Sequence, residues 1–128
     1  MKLLTHNFLS SRFLKGVDNG YPLKLDAVKT EIVDVPVDAS FLKGVIGRVD
    51  YPALYNVAKG MGEAADLPEP VEDKIDVDSL LPQQLSQLNR VLLCIDVVEG
   101  TLECPESGRK FPIKDGIPNL LVNEDEVS

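Results

Sequence analysis

The segment Cys104-Pro105-Glu106-Ser107-Gly108 carries the residue types and spacing nearest to chemistry in this chain. With Ser107→Cys it would read C-x-x-C-G, the knuckle at the tip of a zinc-binding hairpin. Zinc there needs four thiolate or imidazole ligands, and the chain has two cysteines and one histidine. Ser11, Ser107 and His6 do not complete the set, because a neutral serine hydroxyl does not hold zinc as a thiolate does. Cys104 is therefore expected to be a remnant ligand packed in a hairpin, with no metal bound. As a nucleophile Cys104 would want a base. His6 is the sole histidine, and neither residue sits in a local signature of cysteine enzymes. A lone histidine here reads as a surface or strand residue. Cys94, inside the apolar run Val91–Ile95, reads as a small buried hydrophobe. Gly44-Val45-Ile46-Gly47 lacks the preceding strand that a phosphate loop requires. The carboxylate pairs fall in a linker and a tail, where they are solvated. With no catalytic constellation, a binding or scaffolding role is expected rather than an enzyme.

The elements that must position the knuckle read as β at both ends and α between. Leu3–Leu9 is expected as a short strand. Tyr21–Asp26 and Glu31–Val37 alternate apolar and polar residues as strands do, and Pro36 marks an end or an edge. The period then changes. Asp38 or Ser40 can cap a helix beginning at Phe41, whose Phe41, Val45 and Val49 share a face with Leu42 and Ile46. Asp50 starts a second helix with Pro52 in its first turn and Leu54, Val57, Ala58 and Met61 facing inward. Residues 62–78 hold Pro68, Pro70 and seven acidic residues against Lys74, the composition of a solvated loop. A third helix is expected from Asp78 or Ser79, with Leu81, Leu85, Leu88 and Leu92 as its core stripe. After Ile95, Val97–Glu103 runs into the knuckle and Arg109–Ile113 returns. Lys114-Asp115-Gly116 turns again, and Ile117–Leu121 follows. The fold class is α+β: a zinc-ribbon-like β domain with a degenerate metal site, made of residues 1–37 and 96–128. A three-helix domain over 38–95, carrying the acidic linker 62–78, is inserted in it.

A chain of 128 residues makes one domain, or one with an insertion. Apolar residues at 44% suffice for a core, and the formal charge of -8 repels polyanions on average. Arg109-Lys110 with Lys114 is a local exception, so RNA contact is expected mainly through a basic partner. Four Phe, three Tyr and no Trp leave little for base stacking. No signal-peptide pattern and no run of about 20 apolar residues is present, so a soluble intracellular protein without membrane contact is expected. Ile117–Val122 is short and apolar, and Pro118 cannot donate to a ladder, which places it at a sheet edge. An apolar edge invites a partner strand.

Several blocks together resemble a known family: Met1-Lys2-Leu3-Leu4-Thr5-His6-Asn7, Gly20-Tyr21-Pro22-Leu23, Arg48-Val49-Asp50-Tyr51, Glu99 through Arg109 around the knuckle, and Gly116-Ile117-Pro118-Asn119-Leu120-Leu121. They look like the small methyltransferase-activator subunit family of eukaryotes and archaea. The resemblance implies a zinc-ribbon-like domain with a helical insertion and no catalytic activity of its own. It implies that the chain binds several S-adenosylmethionine-dependent methyltransferases, one at a time as heterodimers, by strand addition and apolar contacts. Those enzymes act on tRNA, ribosomal RNA and a translation release factor, and carry the S-adenosylmethionine themselves, so this chain binds no cofactor. Cytoplasm and nucleus are the implied locations. Zinc in some members is held by two N-terminal cysteines and a C-x-x-C, and only Cys104 remains here. The expected docking residues are Phe8, Phe111, Ile113, Ile117, Pro118, Asn119, Leu120 and Leu121. Phe8, Phe111 and Leu102 are expected to hold the hairpin by packing. A free-standing RNA-binding relative of the zinc ribbons is the alternative.

Overall fold

The computed structural model describes residues 1–70 and 75–127. Helix α1 (Leu3–Phe8) is followed by strand β1 (Lys24–Ile32), then helices α2 (Ala39–Ile46), α3 (Tyr51–Gly60) and α4 (Pro82–Asn89). A π-helical turn, Arg90–Cys94, leads directly into β2 (Ile95–Glu103), β3 (Lys110–Lys114) and the two-residue β4 (Ile117–Pro118). The four strands form one antiparallel sheet in the order β1-β2-β3-β4. Lys24 pairs with Glu103 at one end of the long β1–β2 ladder and Ile32 with Ile95 at the other, with a register irregularity between Ala27 and Thr30. Gly100 lies opposite Ala27, and a Cβ there would collide with the Asp26 carbonyl.

The caps form as the acidic residues dictate. Asp38 accepts from the Phe41 amide at 3.1 Å and Asp50 from the Ala53 amide at 3.1 Å. Each satisfies one of the free donors at a helix start. One continuous core joins sheet and helices through Leu3, Leu42, Leu54, Leu88, Val97 and Leu102.

Helix α1 corrects the expectation of a strand over Leu3–Leu9. Leu3, His6 and Asn7 are buried together, which is the i, i+3, i+4 spacing of a helix face. His6, expected at the surface or in a strand, is buried in this helix, and its Nε2–H donates to the Leu23 carbonyl at 2.7 Å. Asn7 makes a reciprocal pair with the backbone of Asp50: Nδ2 donates to Asp50 O at 2.8 Å, and Asp50 N donates to Oδ1 at 2.9 Å. The Tyr21 hydroxyl donates to Asn7 O at 2.6 Å. The six-residue helix thus ties the start of β1 to the start of α3.

Other boundaries differ too. Tyr21–Asp26 and Glu31–Val37 are not two strands. One strand spans Lys24–Ile32, and the chain leaves the sheet after the Val33 amide bonds Cys94 O at 2.8 Å. The third helix starts at Pro82 rather than Asp78 or Ser79, because Asp76 accepts the Asp78 amide and closes a separate 3-10 turn, Val77–Ser79. Leu81 precedes that helix and is exposed, while Leu88 and Leu92 are core. Cys94 is buried, as expected of a small hydrophobe. Within the acidic 62–78 stretch, residues 71–74 lie outside the described residues. Glu63, from the same stretch, pairs with Arg90 at 2.9 Å and accepts from Gln87 at 3.2 Å, fastening it to α4.

Burial holds the His6 imidazole below its ordinary 6.5, against the opposing pull of the Leu23 carbonyl. The unfolded chain then binds a proton that the folded chain does not. Stability must therefore fall as pH drops from about 6.5 toward the lowered folded value, by at most about 1.4 kcal/mol per pH unit. Urea midpoints measured from neutral pH to about 5 should show this slope in the native chain and a flatter one in His6→Gln.

Candidate functional site

The hairpin β3–β4 is built by alternation. Phe111 and Ile113 point into the core and are 1% and 2% exposed. Lys110, Pro112 and Lys114 point outward. Asp115 and Gly116 turn the chain with φ of 51° and 76°, the left-handed pair that Asp-Gly favours. Lys114 pairs with Ile117 and Ile113 with Pro118. The Asn119 amide adds one further rung to Pro112 O at 2.9 Å, and Asn119 Oδ1 then accepts the Leu121 amide at 3.0 Å, bending the chain away from the sheet. The outcome is an open groove of about 570 Å³ lined by Pro112, Lys114 and Ile117 through Leu121, on the outermost strand of the sheet. Ile117 is 68% and Leu121 82% exposed. Leu120 turns back and packs partly on the core.

The eight expected docking residues therefore divide. Ile117, Pro118, Asn119, Leu120 and Leu121 line one groove. Phe111 and Ile113 are core residues, because the period of two in β3 sends them inward, and they present no side chain to a partner. Phe8 is 56% exposed at the end of α1, does not line the groove and is not among the residues packed in or against the core. Leu102 and Phe111 do lie in the hairpin core. Pro112 and Lys114, which the same alternation would have indicated, complete the groove wall.

The knuckle closes the β2–β3 connection at the Lys110 end of β3, away from the end that pairs with β4. Cys104 N donates to Arg109 O at 2.8 Å and Gly108 N to Cys104 O at 3.1 Å, with Gly108 at φ 77°. The Ser107 amide donates to Cys104 Sγ at 3.3 Å. Ser11 is fully buried, with its hydroxyl oxygen 3.3 Å from Gly20 O and beside Cys104. Gly20 is obligatory there, since a Cβ would lie 2.7 Å from the Ser11 and Arg12 backbone. This donor set does not suit zinc: one thiol and two serine hydroxyls surround the position, and His6 is committed to Leu23 O. Among the described residues no three His, Cys, Asp or Glu side chains cluster as metal ligands.

A carboxylate makes the cross-link instead. Glu106 accepts three successive backbone amides from the N-terminal loop: Asp18 at 3.1 Å, Asn19 at 2.9 Å and Gly20 at 2.5 Å. These amides, Gly20 first, hold the Glu106 carboxyl below its ordinary range. Burial pushes the Cys104 thiol up. Hydrogen bonds from the Ser107 and Ser11 hydroxyls and from the Ser107 and Glu106 amides outweigh it, and bring the thiol to about 7 from an ordinary 9.0. Nothing local in the sequence announces the Glu106 cradle, because its partners lie 86 to 88 residues earlier.

The family model for Trm112p-like proteins matches residues 2–116. The chain belongs to the Trm112p-like family. It is 43% identical over 127 residues to the mouse protein named multifunctional methyltransferase subunit TRM112-like protein, covering 98% of each chain. It is 41% identical to homolog A of the TRM112 subunit from Arabidopsis thaliana, covering 99% of this chain and all of that one. Against the Saccharomyces cerevisiae subunit the identity is 32%, with 95% and 96% covered. Among solved structures, a chain of the E. cuniculi Mtq2-Trm112 complex, responsible for methylation of the eRF1 translation termination factor, superposes with a TM-score of 0.50 at 24% identity. It covers 92% of this chain and 93% of that one, and supports the family's fold.

Two outcomes test the knuckle. Glu106→Ala should speed amide hydrogen exchange at Asp18, Asn19 and Gly20 by about tenfold or more while the β1–β2 ladder keeps its protection. Because the folded Cys104 binds its proton less tightly than the unfolded one, stability should rise with pH between about 7 and 9. In Cys104→Ser, denaturant melts should lose that rise.

Proposed function

We propose that this chain is a non-catalytic activating subunit of S-adenosylmethionine-dependent methyltransferases, docking one enzyme at a time as a heterodimer through its β4 edge. The observation that carries the reading is the apolar groove at Ile117–Leu121, set on a two-residue edge strand that has no strand on its outer side among the described residues. An extended strand of the enzyme would add to that edge, while Ile117 and Leu121 meet its apolar face. The enzyme carries the S-adenosylmethionine; the knuckle of this chain offers no nucleophile–base pair, since Cys104 faces serines and His6 faces a carbonyl. The proposed substrates of the assembled enzymes are tRNA, ribosomal RNA and a translation release factor, in cytoplasm and nucleus. No helix among the described residues is long and apolar enough to cross a membrane. In this reading residues 1–37 and 96–128 are a zinc-ribbon-like domain whose metal has been replaced by hydrogen bonds, and 38–95 are its helical insertion.

Activation follows from mass action. A methyltransferase with an exposed apolar strand edge tends to aggregate. A subunit that binds only the folded enzyme stabilises it by about 2.7 kcal/mol when present at 100 times its dissociation constant.

Coexpression with candidate methyltransferases, followed by size exclusion and a methyl-transfer assay, tests the proposal. A one-to-one complex with restored solubility and activity is expected. Ile117→Asp and Leu121→Asp should abolish copurification, yet leave the stability of the free chain within about 0.5 kcal/mol, as for other surface substitutions. Phe111→Ala should instead cost about 3–5 kcal/mol in the free chain. If the two Asp variants copurify normally, the groove is not the docking surface.

A further inference from the structure

The sheet has a second edge, and this one is long. β1 is the outermost strand on the side away from β4, and among the described residues no strand pairs with its outer side. Two of its apolar residues, Val28 and Ile32, are 71% and 54% exposed. A cleft of about 500 Å³ runs beside it. The consecutive residues Pro22–Ala27 line one wall, so the cleft follows the backbone rather than one face of the strand. Ala53, Val57 and Met61 of α3 line the other wall.

The register irregularity decides what this edge displays. In an unbroken strand, residues 24 and 26 face one way and residues 29 and 31 the other. Here the ladder steps from Ala27–Gly100 to Lys29–Glu99, which leaves Val28 as the extra residue of a bulge. Beyond the bulge Thr30 and Ile32 lie opposite buried Val97 and Ile95, on the core face, as Leu25 lies opposite buried Leu102 before it. Lys24, Asp26, Lys29 and Glu31 therefore share the solvent face, and all four are exposed. Along the strand that face reads positive, negative, positive, negative.

Such a row is complementary to itself when reversed. We propose that β1 is a self-recognition edge, at which two copies of this chain pair β1 to β1 antiparallel about a twofold axis between Ala27 and Val28. Lys24 then lies opposite Glu31 of the second copy and Asp26 opposite Lys29, each pair occurring twice. Opposite charges across a strand pair stabilise it and like charges oppose it. A slip of one residue sets Lys24 against Thr30 or Ile32 and leaves every charge unmatched. A slip of two sets Lys24 against Lys29, or Asp26 against Glu31. Lys24 also reaches Glu103 at 3.7 Å, but with its side chain 67% exposed that contact is weak. Ile32 comes opposite Leu23 of the second copy, at the cleft, so an exposed apolar side chain gains cover. Edge lysines and a bulge turn away indiscriminate strands, whereas the same bulge at the same point of both strands matches. The joined sheet has eight strands, twice the four of each copy, and both β4 edges lie at its outer ends. Each copy thus keeps its groove open. The assignment rests on β1 and not on the groove at β4, so either can fail without the other.

An interface of one strand pair belongs to the small, transient class, below about 1,200 Å² in total. Sedimentation equilibrium from about 5 µM to about 1 mM chain, the span of weak affinities, should show the mass rising from one chain to two. Raising the salt should weaken the association. Lys29→Glu sets like charges against each other and should weaken it about tenfold or more, as should Asp26→Lys. Mixed in equal amounts, these two variants complement each other and should restore the dimer. D26K/K29E, which keeps the native net charge, should restore it within one chain. Circular dichroism melts confirm that each variant is folded. A native chain that stays monomeric throughout, a single reversal that associates as the native chain does, or a mixture that fails to reassociate overturns the proposal. Association lost in Ile117→Asp but kept in the β1 reversals overturns it in favour of pairing at β4.

Discussion

Helix α1 ties the start of β1 to the start of α3, and the remaining geometry depends on it. Its two buried polar side chains are each satisfied by the backbone of a different element, His6 by Leu23 and Asn7 by Asp50. A buried polar group without a partner costs about 1–3 kcal/mol, so α1 is specified in one position only. Leu3 adds a fully buried side chain on the same face, and the Val97 amide, donating to Met1 O at 2.8 Å, continues the tie to β2. Remove the helix and the start of β1, the cap of α3 and one side of β2 lose their partners together.

The knuckle solves a related problem at the other end. Zinc in such a hairpin would join the N-terminal loop to the β2–β3 connection by coordination. Here Glu106 joins them through three backbone amides, and buried Ser11 fills the space beside Cys104. A carboxylate is suited to this, since it accepts several donors at once. The same join fixes the base of the β3–β4 hairpin, and through it the direction in which Ile117 and Leu121 face.

Much of this was legible in the sequence, and the failures have physical causes. Asp38 and Asp50 announced α2 and α3 because capping is a local interaction between residues three apart. Asp115-Gly116 announced its turn because only a left-handed pair closes it. Ile117–Leu121 was legible as an edge through Pro118. The strand expected over Leu3–Leu9 failed because two leucines and a histidine in a short run fit either period, and the tie from Asn7 to Asp50 spans 43 residues. Placing Phe111 and Ile113 on the surface ignored the alternation that their own strand enforces. Glu106 gave no local signal, because its partners are backbone amides of one distant loop.

The sheet runs in chain order, and all of α2, α3 and α4 fall between β1 and β2. The helical stretch therefore leaves and re-enters the sheet at the side farthest from β4. Insertions or deletions in it alter the length of a single connection and leave the hairpin and its groove in register. The fold thus keeps the connection that carries the helices apart from the edge that carries the groove.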